Sequence, residues 1–389
     1  MKKALNEMRV GIVGGGQLGR MMILEGKKMG LHFTILDPDP CCPASSIADE
    51  QVICGFHEPA GYRTLAELSD VVTYELEHIN SDILIELVGQ GHIMAPSPHI
   101  LKTIQDKYLQ KSFLLDKGIN LPDFEPIDTL DALQHVAEKR FNYPFLLKSR
   151  RGGYDGKGNY LVRKRDEIPR AFANLQSGRD SLLIEKYIPF QMEVSALVAR
   201  TGNGEVKVYP LVENIHQENI LRITIVPARV SFSVSEKALE LARRTTDVIG
   251  GTGVFCIEMF VTSDGEVQVN EVAPRTHNSG HYTIEACATS QFNQHLRAIL
   301  GLPLGSTELL KPAVMMNLLG EERYRGRGKI VGIEEALRIS EVYIHYYGKA
   351  ETRPNRKMGH LTALGVGVGE AMEKAGMARK MVTIIGEER

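Results

Sequence analysis

The stretch VFCIEMFVTSDGEVQVNEVAPR, residues 254 to 275, constrains the fold of this 389-residue chain more tightly than any other. Two runs rich in β-formers flank Asp264-Gly265, the dipeptide favoured in two-residue type I′ hairpin turns. With that pair as the turn, Glu258 falls directly opposite Glu271 on one face of an antiparallel pair, with Cβ atoms roughly 5 Å apart. Two carboxylates at that separation repel by roughly 3 kcal/mol at an effective dielectric near 20. Either one keeps a proton, or a divalent cation sits between them. A loop longer by one residue would shift the pairing, and two exposed glutamates with basic neighbours would need neither remedy.

Three other segments concentrate chemistry. In LLKSRRGGYDGKGNYLV, residues 146 to 162, glycines 152, 153, 156 and 158 lie between two strands. Such a hairpin loop can close over phosphates with unobstructed backbone N–H groups, and Lys148 and Lys157 supply charge. It is no Walker A loop, because no G-K-[ST] opens a helix there. Beside it, the paired glutamates favour Mg²⁺ shared with nucleotide phosphates. APRTHNSGHYTIEAC, residues 273 to 287, crowds Arg275, His277, Asn278, Ser279 and His281 into one loop, with capping roles open to Asn278 and Thr283. YYGKAETRPNRKMGH, residues 346 to 360, gathers Lys349, Arg353, Arg356, Lys357 and His360. These cations suit a phosphate-bearing substrate or, more blandly, a solvated turn.

At the other end, GIVGGGQLGR, residues 11 to 20, satisfies G-x-G-x-x-G, and Asp37 closes the next apolar run, FTILD. On spacing alone this is the turn of a nicotinamide dehydrogenase. That reading leaves the paired glutamates, the second glycine loop and the basic segment without a use. RVGIVG, FTILD, EQVICG and DVVTYE read as strands of an open parallel α/β sheet, with a helix over QLGRMMILEGKKMG. A helix capped by Ser97, with Pro98 at its first position, is expected to run to Lys117 and stop at Gly118, linking two domains. From about Asn120 the pattern becomes α+β, and after about Lys311 a smaller β-rich lobe is expected. Lys plus Arg (46) nearly balance Asp plus Glu (48), which argues against nucleic acid and anionic membranes as partners. No apolar run reaches the roughly 18 residues of a membrane span, and MKKALNEMRV lacks an apolar signal segment. Cys41, Cys42, Cys54, Cys256 and Cys287 form no C-x-x-C pair, so a cytoplasmic chain with reduced thiols is expected.

Taken together, a lysine-ending strand before a flexible glycine loop, the later EKYIPFQMEVS and the glutamates ending in NE resemble the ATP-grasp fold. GGGQLGRM, RRGGYDGKG, NEVAPRTHNSGHYTIEAC and RKMGH, in that order, resemble the 5-(carboxyamino)imidazole ribonucleotide synthases within it. Thr276 stands where that family often has Pro, and Asn355 where Gly often precedes RKMGH. The resemblance implies a Rossmann-like pre-ATP-grasp domain over 1–105, an ATP-grasp domain over 106–310 and a C-terminal lobe over 311–389. The lid is expected over about 120–187, with its glycine loop at 152–158. It further implies ATP and Mg²⁺ as cofactors, bicarbonate as co-substrate, carboxyphosphate as intermediate, a homodimer, and product transfer to a mutase in purine biosynthesis. Carried over by motif, Lys107, Lys148 and Gly153 to Asn159 (Gly153, Tyr154, Asp155, Gly156, Lys157, Gly158, Asn159) would contact ATP phosphates. Glu185, Lys186, Tyr187 and Ile188 would present a backbone edge to adenine, Glu193 would meet ribose, and His216 would line the nucleotide site. Glu258 and Glu271 would hold Mg²⁺ beside Asn270. Gln17, Leu18, Glu75, Asn278, Ser279, Lys349, Arg356 and Lys357 would bind the ribonucleotide, the last three cations at its phosphate. Tyr154, Asp155, Lys157, Arg275 and His277 are the candidates for the reacting groups. Another ATP-grasp ligase, such as formate-dependent glycinamide ribonucleotide transformylase or biotin carboxylase, would share the fold; a non-catalytic nucleotide-binding module is the remaining alternative.

Overall fold

Strand runs apolar at nearly every position, as in RVGIV and VVTY, can be buried only between helices, and the first hundred residues use them so. In the computed structural model, which describes residues 3–153, 158–176 and 181–388, β1 (Arg9–Val13), β2 (His32–Leu36), β3 (Glu50–Val52) and β4 (Val71–Tyr74) form a parallel sheet. Their order is β3-β2-β1-β4. Helices α1 (Gln17–Lys27), α2 (Pro59–Glu67) and α3 (Ser81–Gly89) flank it, and Val10, Ile12 and Val13 are fully buried. The glycine turn leaves the carboxyl end of β1, where α/β sheets commonly bind ligands.

The single helix expected from Ser97 to Lys117 is two: α4 (Pro98–Ile104) and α5 (Lys107–Asp116). Asp106 breaks it by capping α5, accepting from the N–H groups of Tyr108 and Leu109. Arg150 and Arg151, distant in sequence, hold Asp106 in place at 2.8 to 3.3 Å. Ser97 and Pro98 open α4 as expected, although the Ser97 side chain makes no cap bond. Gly118, at φ +70°, ends α5.

Four antiparallel strands follow: β5 (Phe124–Ile127), β6 (Phe145–Ser149), β7 (Asn159–Val162) and β8 (Leu182–Lys186), in the order β5-β8-β6-β7. With α6 (Leu130–Val136) and α7 (Ile168–Gln176) they enclose their own core around Phe145, Leu147 and Ile184. This unit therefore has a core of its own, separate from those of the other sheets.

The largest sheet has nine strands. Five of them are β9 (Phe190–Arg200), β10 (Val206–Val208), β11 (Val212–Gln217), β12 (Ile220–Val226) and, after α8 (Phe232–Ile249), β13 (Gly253–Thr262). Next come β14 (Val267–Ala273), α9 (Thr283–Ala286), α10 (Gln291–Ile299), β15 (Ala313–Leu319), β16 (Tyr324–Val331) and α11 (Ile333–Ala336). The chain closes with β17 (Val342–Tyr346), β18 (Glu351–Thr352), β19 (Lys357–Leu364), α12 (Val368–Met381) and β20 (Thr383–Glu388). The sheet runs β14-β13-β9-β11-β12-β15-β19-β17, with β10 added on β9. Three C-terminal strands thus continue the central sheet, and only β16, β18 and β20 form a small sheet of their own.

The β13–β14 hairpin reaches the expected pairing by an unexpected route. Its turn is not the two-residue type I′. Thr262 N–H donates to Glu266 O and Gly265 N–H to Thr262 O, which leaves three residues in the loop, with Gly265 at φ +79°. Next to the turn, Val261 therefore pairs with Val267. A bulge at Asn270 then takes up the odd residue, and Glu258 faces Glu271 after all.

Candidate active site

Residues directly opposed across a sheet share a face, and here the ladder aligns acids. Glu271 pairs with Glu258, Glu258 with Ser195, and Glu193 lies two residues from Ser195 along β9. This face forms one wall of a cavity of about 440 Å³. Gln17, Leu18 and Glu75 reach it from the first sheet, Lys107 from α5, and Gly153 and Asn159 from the glycine hairpin. His216, Asn270, Arg275, His277, Asn278 and Lys357 complete most of the lining. Four segments far apart in sequence therefore meet at one place. Tyr154, Asp155, Gly156 and Lys157 lie outside the described residues.

The electrostatics are those of a site built around opposite charges. Burial, reinforced by the charges of Glu271 and Glu193 and opposed by His216, pushes the Glu258 carboxyl up to about 7. Burial would also raise Glu271, but Lys107, 2.9 Å away, together with Lys148 and Lys111 brings it below its ordinary value. Partial desolvation would lower His216, but its hydrogen bond to Glu193 and that carboxylate's charge raise this half-buried ring above its ordinary value. Burial, with Arg275 and Lys357 adding to it, holds His277 well below the usual histidine range. The Asn278 amide is buried, lines the cavity and meets no hydrogen-bond partner among the described residues. Such an amide is poised for a ligand.

An acidic pair with an amide oxygen nearby suits a hard divalent cation: Glu258, Glu271 and Asn270 line the cavity together and offer oxygen ligands. Donor atoms of Cys256, Glu258 and His277 also come within 4.8 Å of one another. The Cys256 thiol, however, is fully buried and raised by that burial, so it is an uncharged neighbour and a poor ligand as it stands.

Comparison with known proteins gives this geometry its context. Three family models match: the ribonucleotide synthetase preATP-grasp domain over residues 7–105, the ATP-grasp domain over 112–292, and the phosphoribosylaminoimidazole carboxylase C-terminal domain over 313–374. An N5-carboxyaminoimidazole ribonucleotide synthase of Bacillus subtilis is 41% identical over 353 residues, covering 91% of this chain and 90% of its own. The chain belongs to the N5-carboxyaminoimidazole ribonucleotide synthase family. The family's solved synthetase from Thermotoga maritima superposes with a TM-score of 0.89 at 45% identity, over 98% of this chain and 100% of the other. The Aspergillus clavatus synthase, solved with ADP and 5-aminoimidazole ribonucleotide, gives 0.89 at 37% identity over 97% and 99%. A Schizosaccharomyces pombe phosphoribosylaminoimidazole carboxylase is 42% identical, and the match spans 64% of its length.

Within this synthase family framework the dehydrogenase reading of the N-terminal glycines fails on an observable contact. Gly16 N–H donates to Glu75 Oε1, and Gly19 N–H donates to Glu75 Oε2 at 2.6 Å. A buried carboxylate of the protein thus takes the helix N-terminus where a dinucleotide would lay its pyrophosphate. Asp37 turns inward as well, accepting from Gly15 N–H at 2.8 Å.

Other expected residues sit differently from their motif roles. Both Glu75 oxygens are engaged by the turn, so the side chain shapes the site more than it offers a free contact. Ser279 is 1% exposed and lies behind His277, off the cavity wall. Lys148 and Gly158 are also off the wall; Lys148 donates to the fully buried Glu185 at 2.6 Å. Glu185 and Lys186 belong to a strand paired on both sides, and beyond its end Ile188 is buried with its carbonyl accepting from Phe190 N–H at 2.8 Å, so these residues do not present the free backbone edge expected of them. Of the three cations expected at a phosphate, Lys357 lines the cavity. Lys349 donates to Lys357 O at 2.7 Å, and Arg356 donates to Glu351 O.

Sequence reasoning missed four contributors. Lys111 pairs with Glu185 at 2.8 Å and donates to Asn270 O; its i,i+4 spacing from Lys107 on α5 was a usable signal. Glu77 pairs with Arg275 at 3.2 Å, and Asn219 lines the cavity. Gln291 clamps both backbone groups of His277, accepting from its N–H at 2.8 Å and donating to its C=O at 2.7 Å.

Proposed function

We propose that this chain carboxylates 5-aminoimidazole ribonucleotide with bicarbonate at the expense of ATP, giving the N-carboxylated ribonucleotide, ADP and phosphate in purine biosynthesis. The observation that carries the reading is the single cavity in which the glutamate pair, Lys107 and the glycine hairpin meet Gln17, Asn278 and Lys357. Phosphoryl transfer from ATP to bicarbonate needs alignment and charge neutralisation rather than a covalent nucleophile. Lys107, on the cavity wall, would supply that charge, with Lys148 behind it on Glu185, and the loop from Gly153 to Asn159 would close over the phosphates, with the adenine against Tyr187 and Ile188 and the ribose at Glu193. Glu258, Glu271 and Asn270 would hold Mg²⁺, which when bound neutralises phosphate charge. Gln17, Leu18, Asn278 and Lys357 would grip the ribonucleotide, with Lys349 and Arg356 supporting the segment that presents Lys357. His277, beside Glu258, and Arg275, paired with Glu77, would hold the bicarbonate-derived oxygens, with Tyr154, Asp155 and Lys157 as further candidates.

ADP release, assayed with ATP and Mg²⁺, should require both 5-aminoimidazole ribonucleotide and bicarbonate. Stimulation by glycinamide ribonucleotide with formate in their place would reassign the chain to a different ligase reaction.

A further inference from the structure

Behind His277, a row of buried polar side chains crosses the central sheet. Ser279 and Ser195 are 1% exposed, Asn214 is 6% and Thr224 is fully buried. Their positions follow from the ladder: Asn214 on β11 pairs with Thr224 on β12, and β9, which carries Ser195, flanks β11 on the other side. Thr224 Oγ1 donates to Asn214 Oδ1 at 3.0 Å, and Asn214 Nδ2 donates to Ser195 Oγ at 2.8 Å. Ser195 Oγ is 3.0 Å from Ser279 Oγ, which is 2.9 Å from His277 Nδ1.

With Asn214 Nδ2 toward Ser195 and its Oδ1 toward Thr224, the order of donors in this row follows, and the His277 end anchors it. An amide NH₂ only donates, so Ser195 Oγ accepts from Asn214 and passes its one proton to Ser279. Ser279 Oγ, having accepted that bond, has one proton to give, and of its two remaining contacts, His277 Nδ1 at 2.9 Å and Cys256 Sγ at 3.7 Å, the shorter one to a nitrogen acceptor takes it. At the other end the backbone N–H of Ser279, which also only donates, points to the same Nδ1 at 3.3 Å. A ring nitrogen that accepts from a backbone N–H carries no proton. The ring hydrogen of His277 therefore sits on Nε2, the atom 3.4 Å from Glu258 Oε1. Gln291 fixes the backbone of the same residue, so neither ring nor main chain is free to turn.

We propose that the row Asn214–Ser195–Ser279 holds His277 as its Nε2–H tautomer, making it a hydrogen-bond donor to the oxygens that gain charge in carboxyl transfer, not a general base. Ser195 and Asn214 do not line the cavity and are positioning residues that act through His277. The identity of the oxygens rests on the proposed function; the tautomer does not.

Long-range ¹H–¹⁵N correlation spectra of ¹⁵N-histidine-labelled wild-type protein, assigned with His277→Gln, read the tautomer directly and need no turnover. The expected pattern is a protonated Nε2 and a bare Nδ1; a protonated Nδ1 in the wild type overturns the proposal. Asn214→Asp turns the amide donor into an acceptor and claims the Ser195 proton, so the Nδ1–H signal should grow. In Asn214→Asp and Ser195→Ala, kcat should fall about 10- to 100-fold, the range seen when an outer hydrogen-bond partner of an active-site histidine is lost. KM for ATP and for the ribonucleotide should hold. An unchanged tautomer with unchanged kcat in both folded variants would refute the positioning role. Should the wild-type spectrum be as expected while turnover requires another substrate, the function fails and the tautomer assignment stands.

Discussion

Glu185 offers a stringent test of how the nucleotide side of the cavity is held. Its carboxylate is fully buried, 2.6 Å from Lys148 and 2.8 Å from Lys111. Burial opposes its charge, yet the two ammonium groups bring the carboxyl from 4.5 down to about 2. At roughly 1.4 kcal/mol per tenfold change in acidity, that depression favours the folded state by about 3 kcal/mol near neutral pH. Lys111 moves the other way: burial, together with the charges of Lys148 and Lys107, leaves it below the ordinary lysine value despite Glu185. The triad's net contribution is therefore smaller than the glutamate's share. Glu185→Gln does not remove the triad, however; it leaves two buried ammonium groups without their shared carboxylate, a change that costs about 3–5 kcal/mol in comparable pairs. For a domain of about 200 residues, about 3 kcal/mol corresponds to a melting temperature roughly 6–12 °C lower. Calorimetry at pH 7.5 measures it. Because the folded carboxyl is depressed, the difference between wild type and variant should be complete above pH 4.5 and shrink as pH falls toward 2. Adding Lys111→Met should recover part of the loss by removing one of the stranded charges. A Glu185→Gln protein that melts with the wild type would refute the account of these lysines as charges neutralised by one buried acid.

Three further outcomes are expected. Glu271→Gln should lower ATP-dependent ADP release by about 100-fold or more, as loss of an electrostatic partner of the transferred group does elsewhere; near-normal turnover would sink the metal assignment. Lys357→Ala should raise KM for the ribonucleotide by about 10-fold or more, the value of a hydrogen bond to a charged group, while Lys349→Ala has a smaller effect; the reverse ranking would place the phosphate elsewhere. Gly16→Ala places a Cβ 2.5 Å from Glu75 Oε1, and the overpacked turn should lose about 1–3 kcal/mol in thermal melts, with a rise in ribonucleotide KM.

The parts of the fold legible in the sequence were those fixed by local chemistry. The parallel sheet, the glycine hairpin and the Glu258–Glu271 pairing all follow from alternation and turn residues near one another in the chain. Even there, the pairing was reached through two compensating departures, a longer turn and the Asn270 bulge, and neither has a signature in VTSDGEVQVN. Helix continuity through Asp106 was misread because its break depends on Arg150 and Arg151, which only the folded lid brings close. In the site, the motifs and the resemblance they carry named residues that the fold gathers at one cavity, among them Glu258, Glu271, Asn270, His277 and Lys357. They could not find Gln291 or Glu77, whose roles arise from packing between elements far apart, nor show that Glu75 answers the glycine turn from within.

The nine-stranded sheet carries a consequence for how this chain can be divided. β15 pairs with β12 and with β19, so a cut after residue 310 would strip a full row of ladder partners from β12. It would also uncover the apolar surface around Ile225, now packed on Val314 and Leu361. The product would not be a free-standing nucleotide module but a protein with a raw, sticky edge, prone to pair with copies of itself. Of the three family domains in its sequence, the second and third share one nine-stranded sheet, while the four strands β5 to β8 keep a core of their own.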